Sequence, residues 1–423
     1  MMQKYDSYKD SGIQWLGEIP SHWGVVRTKN ISHLYTGNSL NEKAKEKYSS
    51  PCEDAYPYIS SKDVSLETED VNYDNGLRVP KTNNRFEIAP ANSFLLCIEG
   101  GSAGRKRAFL DKEVCFVNKL CCFNSTIHSK FHYYTTQGFY FNSKFKSCMQ
   151  GLIGGVSVSA IKDFYVALPP YNEQEAIANY LDTATAKIDT AIAQQQKMID
   201  LLNERKQIII NRAVTKGLNP NVKMKDSGVE WIGEVPEHWE VKPIKRCCEF
   251  VRTKANRPHS YRVALENIQS WTGQYIQTDS VFDGLGILFK KGDVLFGKLR
   301  PYLAKVFLAD QDGEALGDFW VFRPKTEILS NYLQIILLSY RVVNLIDSTT
   351  YGTKMPRADW GLNSHLMIPI PPIDSQNEII KSIHTDCAQI DASINNFKKT
   401  IDLLRERKQI IINDVVTGKV KII

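Results

Sequence analysis

The chain lacks most of the signatures that would mark an enzyme or a membrane protein. It has no uninterrupted apolar run of about 18 residues or more, which argues against a membrane-spanning helix. Its first residues, MMQKYDSYKD, have no apolar core of a signal peptide, so a cytoplasmic location is expected. Nine cysteines stand at Cys52, Cys97, Cys115, Cys121, Cys122, Cys148, Cys247, Cys248 and Cys387, with no CxxC pair among them. An odd count with mostly apolar flanks suits buried thiols in a reducing compartment better than disulfides or a zinc site. The eight histidines include no HExxH. Residues 99–107, EGGSAGRKR, lack the GxxxxGK(S/T) spacing of a phosphate loop. LPPY at 168–171 carries Leu168 where an amino-methyltransferase motif needs Asn or Asp, and no glycine-rich cofactor loop accompanies it. DQDGE at 310–314 has its glycine and distal glutamate wrongly placed for a calcium loop. No motif for a catalytic residue, a metal ligand set or a cofactor site stands in the sequence, so none is expected in the chain itself.

Excess charge is also scarce. The 53 basic residues face 47 acidic ones, a net +6, and the excess is spread thinly, with 20 against 17 in residues 1–172 and 19 against 17 in 218–373. Bulk charge therefore does not mark a nucleic-acid binder, and local clusters have to.

What the chain has in abundance is repetition. KDSGIQWLGEIPSHW at residues 9–23 returns as KDSGVEWIGEVPEHW at 225–239, and IDLLNERKQIIIN at 199–211 returns as IDLLRERKQIIIN at 401–413. A fold built twice is implied. The opening motif recurs after 216 residues and the closing motif after 202, so the second module is shorter by 14. The frame is kept and the filling differs, as expected of a scaffold for two recognition surfaces. At 423 residues and 43% hydrophobic content the chain fits two well-packed domains plus connections.

From Glu173 the apolar residues Ile177, Leu181, Ala184, Ile188, Ile192, Ile199, Leu202 and Ile209 fall at helical spacing. Ile379, Ile383, Ile390, Ile394, Phe397, Ile401, Leu404 and Ile411 repeat the pattern. This is a coiled-coil seam. Each helix follows a proline pair, and Asn172 or Asp374 is placed to cap its first turn. Helices of about 40 residues would run about 60 Å and must pack on something. Two arrangements are open, an antiparallel pair shared by both modules, or tandem domains with separate terminal helices.

Each module mixes strand and helix signals, which points to an α+β class. YISSKDV (58–64) occupies the place of RVALENI (262–268), and APANSFLLC (89–97) that of KKGDVLFGK (290–298). The sharpest polar clusters follow this second, apolar strand. In the first module EGGSAGRKR offers Gly101, Ser102, Arg105, Lys106 and Arg107. In the second, GKLRPYLAK offers Lys298, Arg300 and Tyr302, and YGTKMPRADW at 351–360 adds Lys354 and Arg357, where the first module has GLIGGVSVSAIKD at 151–163. Glycines allow close backbone approach, and Arg and Lys serve phosphates or guanine. Without the repeat, ordinary basic surface loops would explain these clusters as well. His22 and His238, beside Trp23 and Trp239, suit packing and capping rather than catalysis.

Taken together, SGxxWxGExPxHW at 11–23 and 227–239, the PPxxxQ helix entries, the LLxERKQxII endings and GKLRPYLAKV resemble the specificity subunits of type I restriction-modification systems. The resemblance touches both ends of both halves and so extends over the whole chain. It implies two globular α/β target-recognition domains, residues 1–171 and 218–373, separated by two long antiparallel helices in 172–217 and 374–423, with a pseudo-twofold axis. It also implies a non-catalytic subunit that reads a bipartite, gapped target in double-stranded DNA. Two methyltransferase subunits would bind the helices and bring S-adenosylmethionine, and two restriction subunits using ATP and magnesium could join. On this resemblance Gly101, Ser102, Arg105, Lys106 and Arg107 contact one half-site, and Lys298, Arg300, Tyr302, Lys354 and Arg357 the other. Gln174, Glu175, Gln376 and Glu378 at the helix starts would contribute to methyltransferase docking, although stabilisation of a helix N-terminus by charge also explains them. The helices would act as a ruler between half-sites roughly one DNA turn of ~34 Å apart, and four residues inserted after Thr185 would lengthen the gap. A stand-alone nuclease or methyltransferase with diverged motifs, and a decoy built on the same frame, are the rival readings.

Overall fold

The computed structural model describes residues 3–14, 16–50, 52–150, 154–278 and 284–423. Trp15 of the opening motif and Gly151, Leu152 and Ile153 of the first module's glycine stretch lie outside the described residues. The chain divides into two compact units, Met1–Gln195 with Lys399–Ile423, and Gln196–Lys398. Each unit holds one module and one part of each long helix.

The first unit opens with β1 (Tyr8–Asp10), β2 (Glu18–Pro20) and β3 (Gly24–Arg27). Its module continues through β4 (Ser32–Thr36), α1 (Glu42–Tyr48), β5 (Ala55–Ile59), β6 (Arg78–Pro80), β7 (Ile88–Ala89) and β8 (Phe94–Cys97). Then come β9 (Arg107–Phe109), β10 (Val114–Phe116) and β11 (Leu120–Ser125). Helices α2 (Ser129–Thr135), α3 (Phe139–Ser147) and α4 (Val158–Lys162) lead to β12 (Tyr165–Leu168) and the long helix α5 (Tyr171–Lys216).

The second unit's module follows the same course. Its opening strands are β13 (Met224–Asp226), β14 (Glu234–Pro236) and β15 (Glu240–Pro243), followed by α6 (Ile244–Cys247) and β16 (Cys248–Val251). The strands β17 (Arg262–Val263), β18 (Ile287–Phe289), β19 (Val294–Gly297), β20 (Val306–Leu308), β21 (Gly313–Ala315) and β22 (Phe319–Pro324) come next. It ends with α7 (Ser330–Leu337), α8 (Tyr340–Ser348), α9 (Trp360–Asn363), β23 (Met367–Ile370) and the long helix α10 (Ile373–Val416).

The two modules share one topology in spite of their sequences. An antiparallel sheet of order β4-β11-β8-β9 in the first matches β16-β22-β19-β20 in the second. A second sheet, β6-β5-β10-β7, matches the three-stranded β17-β21-β18, and in both the first-coming strand pairs in parallel with a later one, β5 with β10 and β17 with β21. Among the described residues α1 and β6 belong to the first, longer module alone. The reason for the shared frame lies in the strands. β8 and β19 are short apolar runs buried at every residue, so they must be covered on both faces. Phe94 stacks on Phe123 at 4.6 Å in one unit, and Phe296 on Trp320 at 5.6 Å in the other.

The repeated opening motif repeats because its turn does. Asp10 accepts the Gly12 N–H at 3.0 Å and Asp226 that of Gly228 at 3.0 Å, an Asx turn that places each glycine at positive φ. Trp23 and Trp239 then turn inward and are buried.

Within each unit the parts of the long helices run antiparallel. In the first, Lys408 Nζ meets both oxygens of Asp189 at 2.8 Å, and Ile177 and Leu181 share a core with Ile412 and Val415. In the second, Lys206 meets both oxygens of Asp391 at 2.8 Å, and Ile210 and Val214 share a core with Ile379 and Ile383. Tandem domains with separate terminal helices are thereby ruled out, since the end of α10 packs in the unit where α5 starts. The seam residues Ile188, Ile199, Ile390, Ile394 and Ile401 are buried as their spacing predicts. Both helices start one residue earlier than expected, at Tyr171 and Ile373, so Asn172 and Asp374 sit inside the first turn rather than capping it. All nine cysteines are free, six of them buried.

Candidate nucleic-acid interface

In the second unit β19 runs out into the GKLRPYLAK loop, and the structure joins that loop to YGTKMPRADW. Arg300 N–H donates to Pro356 O at 2.7 Å, Ala358 N–H to Lys298 O at 2.9 Å, and Leu299 bridges Arg357. Tyr351 and Arg357 exchange backbone hydrogen bonds across the turn that carries Lys354. The five expected residues Lys298, Arg300, Tyr302, Lys354 and Arg357 thus come from two segments that form one surface. Arg300 and Ala304 both have positive φ, 50° and 45°, on either side of a single turn at Pro301–Leu303. A non-glycine residue in that region is strained and is held by its surroundings, here by the Pro356 carbonyl. Tyr302 and Lys354 are exposed.

Electrostatics on this surface centre on a residue that the sequence did not single out. Asp318, just before β22, accepts Arg357 Nη2 at 2.7 Å, and its carbonyl accepts the Lys298 N–H at 2.8 Å. Partial burial pushes the Lys298 ammonium below its usual range; Asp318 opposes this shift and Arg357 reinforces it. The only sequence signal for Asp318 is its place after Gly317 at the start of an apolar strand.

The first unit builds the corresponding loop pair with glycines. Gly100 N–H donates to Gly154 O at 2.9 Å, Val156 N–H to Ile98 O at 2.9 Å, and Glu99 bridges Gly155. The loop closes on β8 through Gly104 N–H to Cys97 O at 2.8 Å. Gly101 and Arg105 are exposed and Ser102 is half-buried. A Cβ added at Gly101 would meet nothing within 4 Å, so open space lies above it.

Two of the expected contacts in this loop face the wrong way. Arg107 is 5% exposed, and its guanidinium donates to Thr136 O, to Gly104 O at 2.7 Å and to Asn142 Oδ1 at 2.9 Å. It braces the module from within, because three oxygens converge on it in the core. Lys106 Nζ donates to Ser61 O at 2.8 Å. In the second unit Lys305 Nζ does the same to Leu265 O at 2.6 Å. A lysine used identically under both loops belongs to the frame.

The expected docking residues also divide. Gln174 is 4% exposed and Gln376 fully buried. Gln174 accepts His128 N–H at 3.1 Å and donates to Pro169 O at 2.8 Å; Gln376 accepts Leu329 N–H at 2.8 Å and donates to Pro371 O at 2.9 Å. Each carboxamide ties the helix start to the strand before it and to α2 or α7, which corrects the expectation that these two side chains meet a partner. Glu175 and Glu378 remain exposed. The sequence reading missed a stronger candidate, an exposed stripe of Leu201, Glu204, Arg205 and Ile208, repeated in kind as Leu403, Glu406, Arg407 and Ile410. Leu201 and Leu403 are 49% and 65% exposed, Ile208 and Ile410 60% and 51%. Their seven-residue spacing places each pair on one helix face.

His22, Trp23 and Tyr5 all bond Glu173, at 2.6, 3.0 and 3.0 Å, so the opening motif is anchored to the start of α5. Among the described residues no group of acids, histidines and cysteines could hold a metal ion, and no helix is long and apolar enough to cross a membrane.

One frame used twice, each copy presenting a hydrogen-bonded pair of polar loops of different composition, defines a two-module recognition protein. Residues 20–199 match the family model of the type I restriction modification DNA specificity domain. The Type I restriction enzyme MjaVIII specificity subunit of Methanocaldococcus jannaschii is 25% identical over 431 residues, 96% of this chain and 94% of that subunit. The EcoDI specificity subunit of Escherichia coli is 22% identical over 273 residues, 57% of this chain and 61% of that one. A chain from a structure addressing complex assembly and conformational transition of the type I R-M system shares the fold, with a TM-score of 0.66 over 94% of this chain and 98% of that chain at 10% identity. The chain is thus similar to type I restriction specificity subunits over its length.

Proposed function

We infer that this chain is the sequence-reading subunit of a type I restriction-modification complex, with each module reading one half of a bipartite, gapped target in double-stranded DNA. The observation that carries this is the shared loop pair at the end of β8 and β19, identical in backbone pairing and different in side chains. One half-site is contacted by Gly101, Ser102 and Arg105, the other by Lys298, Arg300, Tyr302, Lys354 and Arg357. The chain supplies no catalysis, and methyl transfer belongs to two methyltransferase subunits that carry S-adenosylmethionine. These dock on the two stripes led by Leu201 and Leu403, with Glu175 and Glu378 at the helix starts as further contacts. Up to two restriction subunits, with ATP and magnesium, complete the complex. Two identical exposed stripes support docking of two copies of one partner, because a leucine and an isoleucine seven apart on a solvent face gain most from being covered.

Arginine reading guanine contributes about 1–3 kcal/mol of discrimination. Arg300→Ala is therefore expected to relax or abolish one half-site in sequencing of methylated adenines and to leave the other half-site unchanged. Altered sequence in both halves would refute modular reading. Methylation of DNA by the purified chain with S-adenosylmethionine alone would show a stand-alone methyltransferase instead.

A further inference from the structure

The two units carry equivalent clefts of opposite charge. In each, a hairpin closed by one bridge, Val64 with Val71 or Ile268 with Tyr275, forms one wall, and the ion pair between the long helices, Asp189 with Lys408 or Asp391 with Lys206, forms another. The first unit's cleft has a volume of about 420 Å³ and is lined by Glu69, Asp70, Asp111 and Asp189 against the single cation Lys408. The second unit's cleft is about 1220 Å³. Beyond the Lys206–Asp391 pair, its walls carry Arg212, Lys216, Arg341 and Lys398 against Glu204. Arg212 and Lys398 make no ion pair among the described residues, and Lys216 lies 4.0 Å from Glu234 in a solvent-exposed pair.

The rest of the second cleft is built for a polypeptide. Trp271 and Tyr340 stack at 6.1 Å, and Ile208, Ile232 and Ile394 add apolar floor. Trp271 stands at φ 64°, held by its N–H to Ala304 O at 3.1 Å, so strain is spent on presenting this ring. Asn211 Oδ1, in the cleft wall, is buried without a donor. Its counterpart Asn413 accepts the Phe139 N–H at 3.1 Å. An incoming backbone N–H would satisfy Asn211, whereas a DNA phosphate has no proton to give. Ile208 and Glu204 belong both to this cleft and to the exposed stripe on α5, so the cleft continues the docking surface.

We propose that the second unit's cleft takes an acidic, apolar-anchored segment of the protein that docks on the stripe, and that the first unit's acidic cleft repels the same segment. Resting on the docking assigned above, two copies of one partner then bind this chain with unequal strength, the copy on the α5 stripe first. Aromatic and arginine side chains in a concave wall are the usual anchors of such contacts, and like charge across an interface excludes the wrong partner.

The test is a titration of the full chain with its cognate methyltransferase subunit, followed by native mass spectrometry. The 1:1 complex is expected to fill before the 1:2 complex, with stepwise dissociation constants more than about tenfold apart, against the about fourfold of two identical sites. The variant R212E/K216E/K398E changes exposed residues only, and circular dichroism checks its fold; it is expected to bring the two steps to the statistical ratio. D70K/D111K in the first cleft is expected to tighten the second step. Equal steps in the unmodified chain, or unequal steps that survive R212E/K216E/K398E, overturn the proposal. So does loss of affinity for a random-sequence DNA duplex in that variant with unequal steps retained, which would make the cleft a nucleic-acid contact. L201E/L403E separates the two ideas, because binding of both copies by this variant refutes docking on the stripes themselves, whatever the cleft does.

Discussion

Arg105 and Arg107 stand two residues apart in the same basic run and do different work. Arg105 faces solvent, while the Arg107 guanidinium is sealed in the core, where burial lowers its affinity for its proton and Glu69 and Tyr133 oppose that. Removing it leaves the Thr136, Gly104 and Asn142 oxygens without their donor, at a cost of about 1–3 kcal/mol for each buried acceptor left unsatisfied. Arg107→Ala is expected to lower the melting temperature of the protein by many degrees, and Arg105→Ala to leave it unchanged in the same thermal scan while altering DNA reading. His132 gives a pH prediction. Its ring is fully buried between Phe94 and Phe123, and burial pulls it down to about 3. The unfolded chain takes up a proton near pH 6.5 and the folded one does not, so this contribution is complete above pH 6.5 and falls as pH drops toward 3. Stability should fall by about 2 kcal/mol between pH 6.5 and 5 from this group. Denaturant titrations should show that slope shrink in His132→Gln, and an unchanged slope would remove His132 as its source.

At the scale of elements, the opening motifs and the helix ends explain one another. Gly217 after α5 and Gly418 after α10 have φ of 73° and 74°. Trp239 lies against the first and Pro20 and Trp23 against the second, so each opening motif closes the helix that ends in its own unit. A Cβ at Gly418 would come within 2.3 Å of Pro20. Gly418→Ala is therefore expected to cost more than the roughly 1 kcal/mol of a lost left-handed glycine, whereas Gly101→Ala should be neutral in stability. Calorimetry on the two variants checks the order. The same logic places Gln174 and Gln376. A glutamine four residues past a proline pair is legible as a helix-start residue, but its inward turn depends on a carbonyl before the helix and an N–H about 46 residues earlier in the chain.

For the whole molecule, the repeated ion pairs bear on the proposed spacing of two half-sites by the helices. Asp189–Lys408 and Lys206–Asp391 fix the helix register inside their respective units. Four residues inserted after Thr185 alone would pull Asp189 away from Lys408, so the insertion belongs after Ala193 and, to match it, after Asn395. This adds about 6 Å of helix. Such a paired insertion is expected to lengthen the unspecified gap by about two base pairs at 3.4 Å each without changing either half-site. An unchanged gap in the methylated-adenine map would dismiss the helices as the ruler.

The sequence by itself determined the duplication, the long helices with their buried isoleucines, the Asx turns at Asp10 and Asp226, and the order of strands that carries GKLRPYLAK and EGGSAGRKR to comparable places. These are local properties, since a turn needs a few adjacent residues and a seam needs only its period. Tertiary structure decided which polar residues face outward. It joined Leu299 to Arg357, enlisted Asp318, buried Arg107, gave Lys106 and Lys305 to the frame, and set an acidic cleft in one unit against a basic cleft in the other. No run of residues encodes these outcomes, because each depends on which oxygen or cation a distant segment brings within reach.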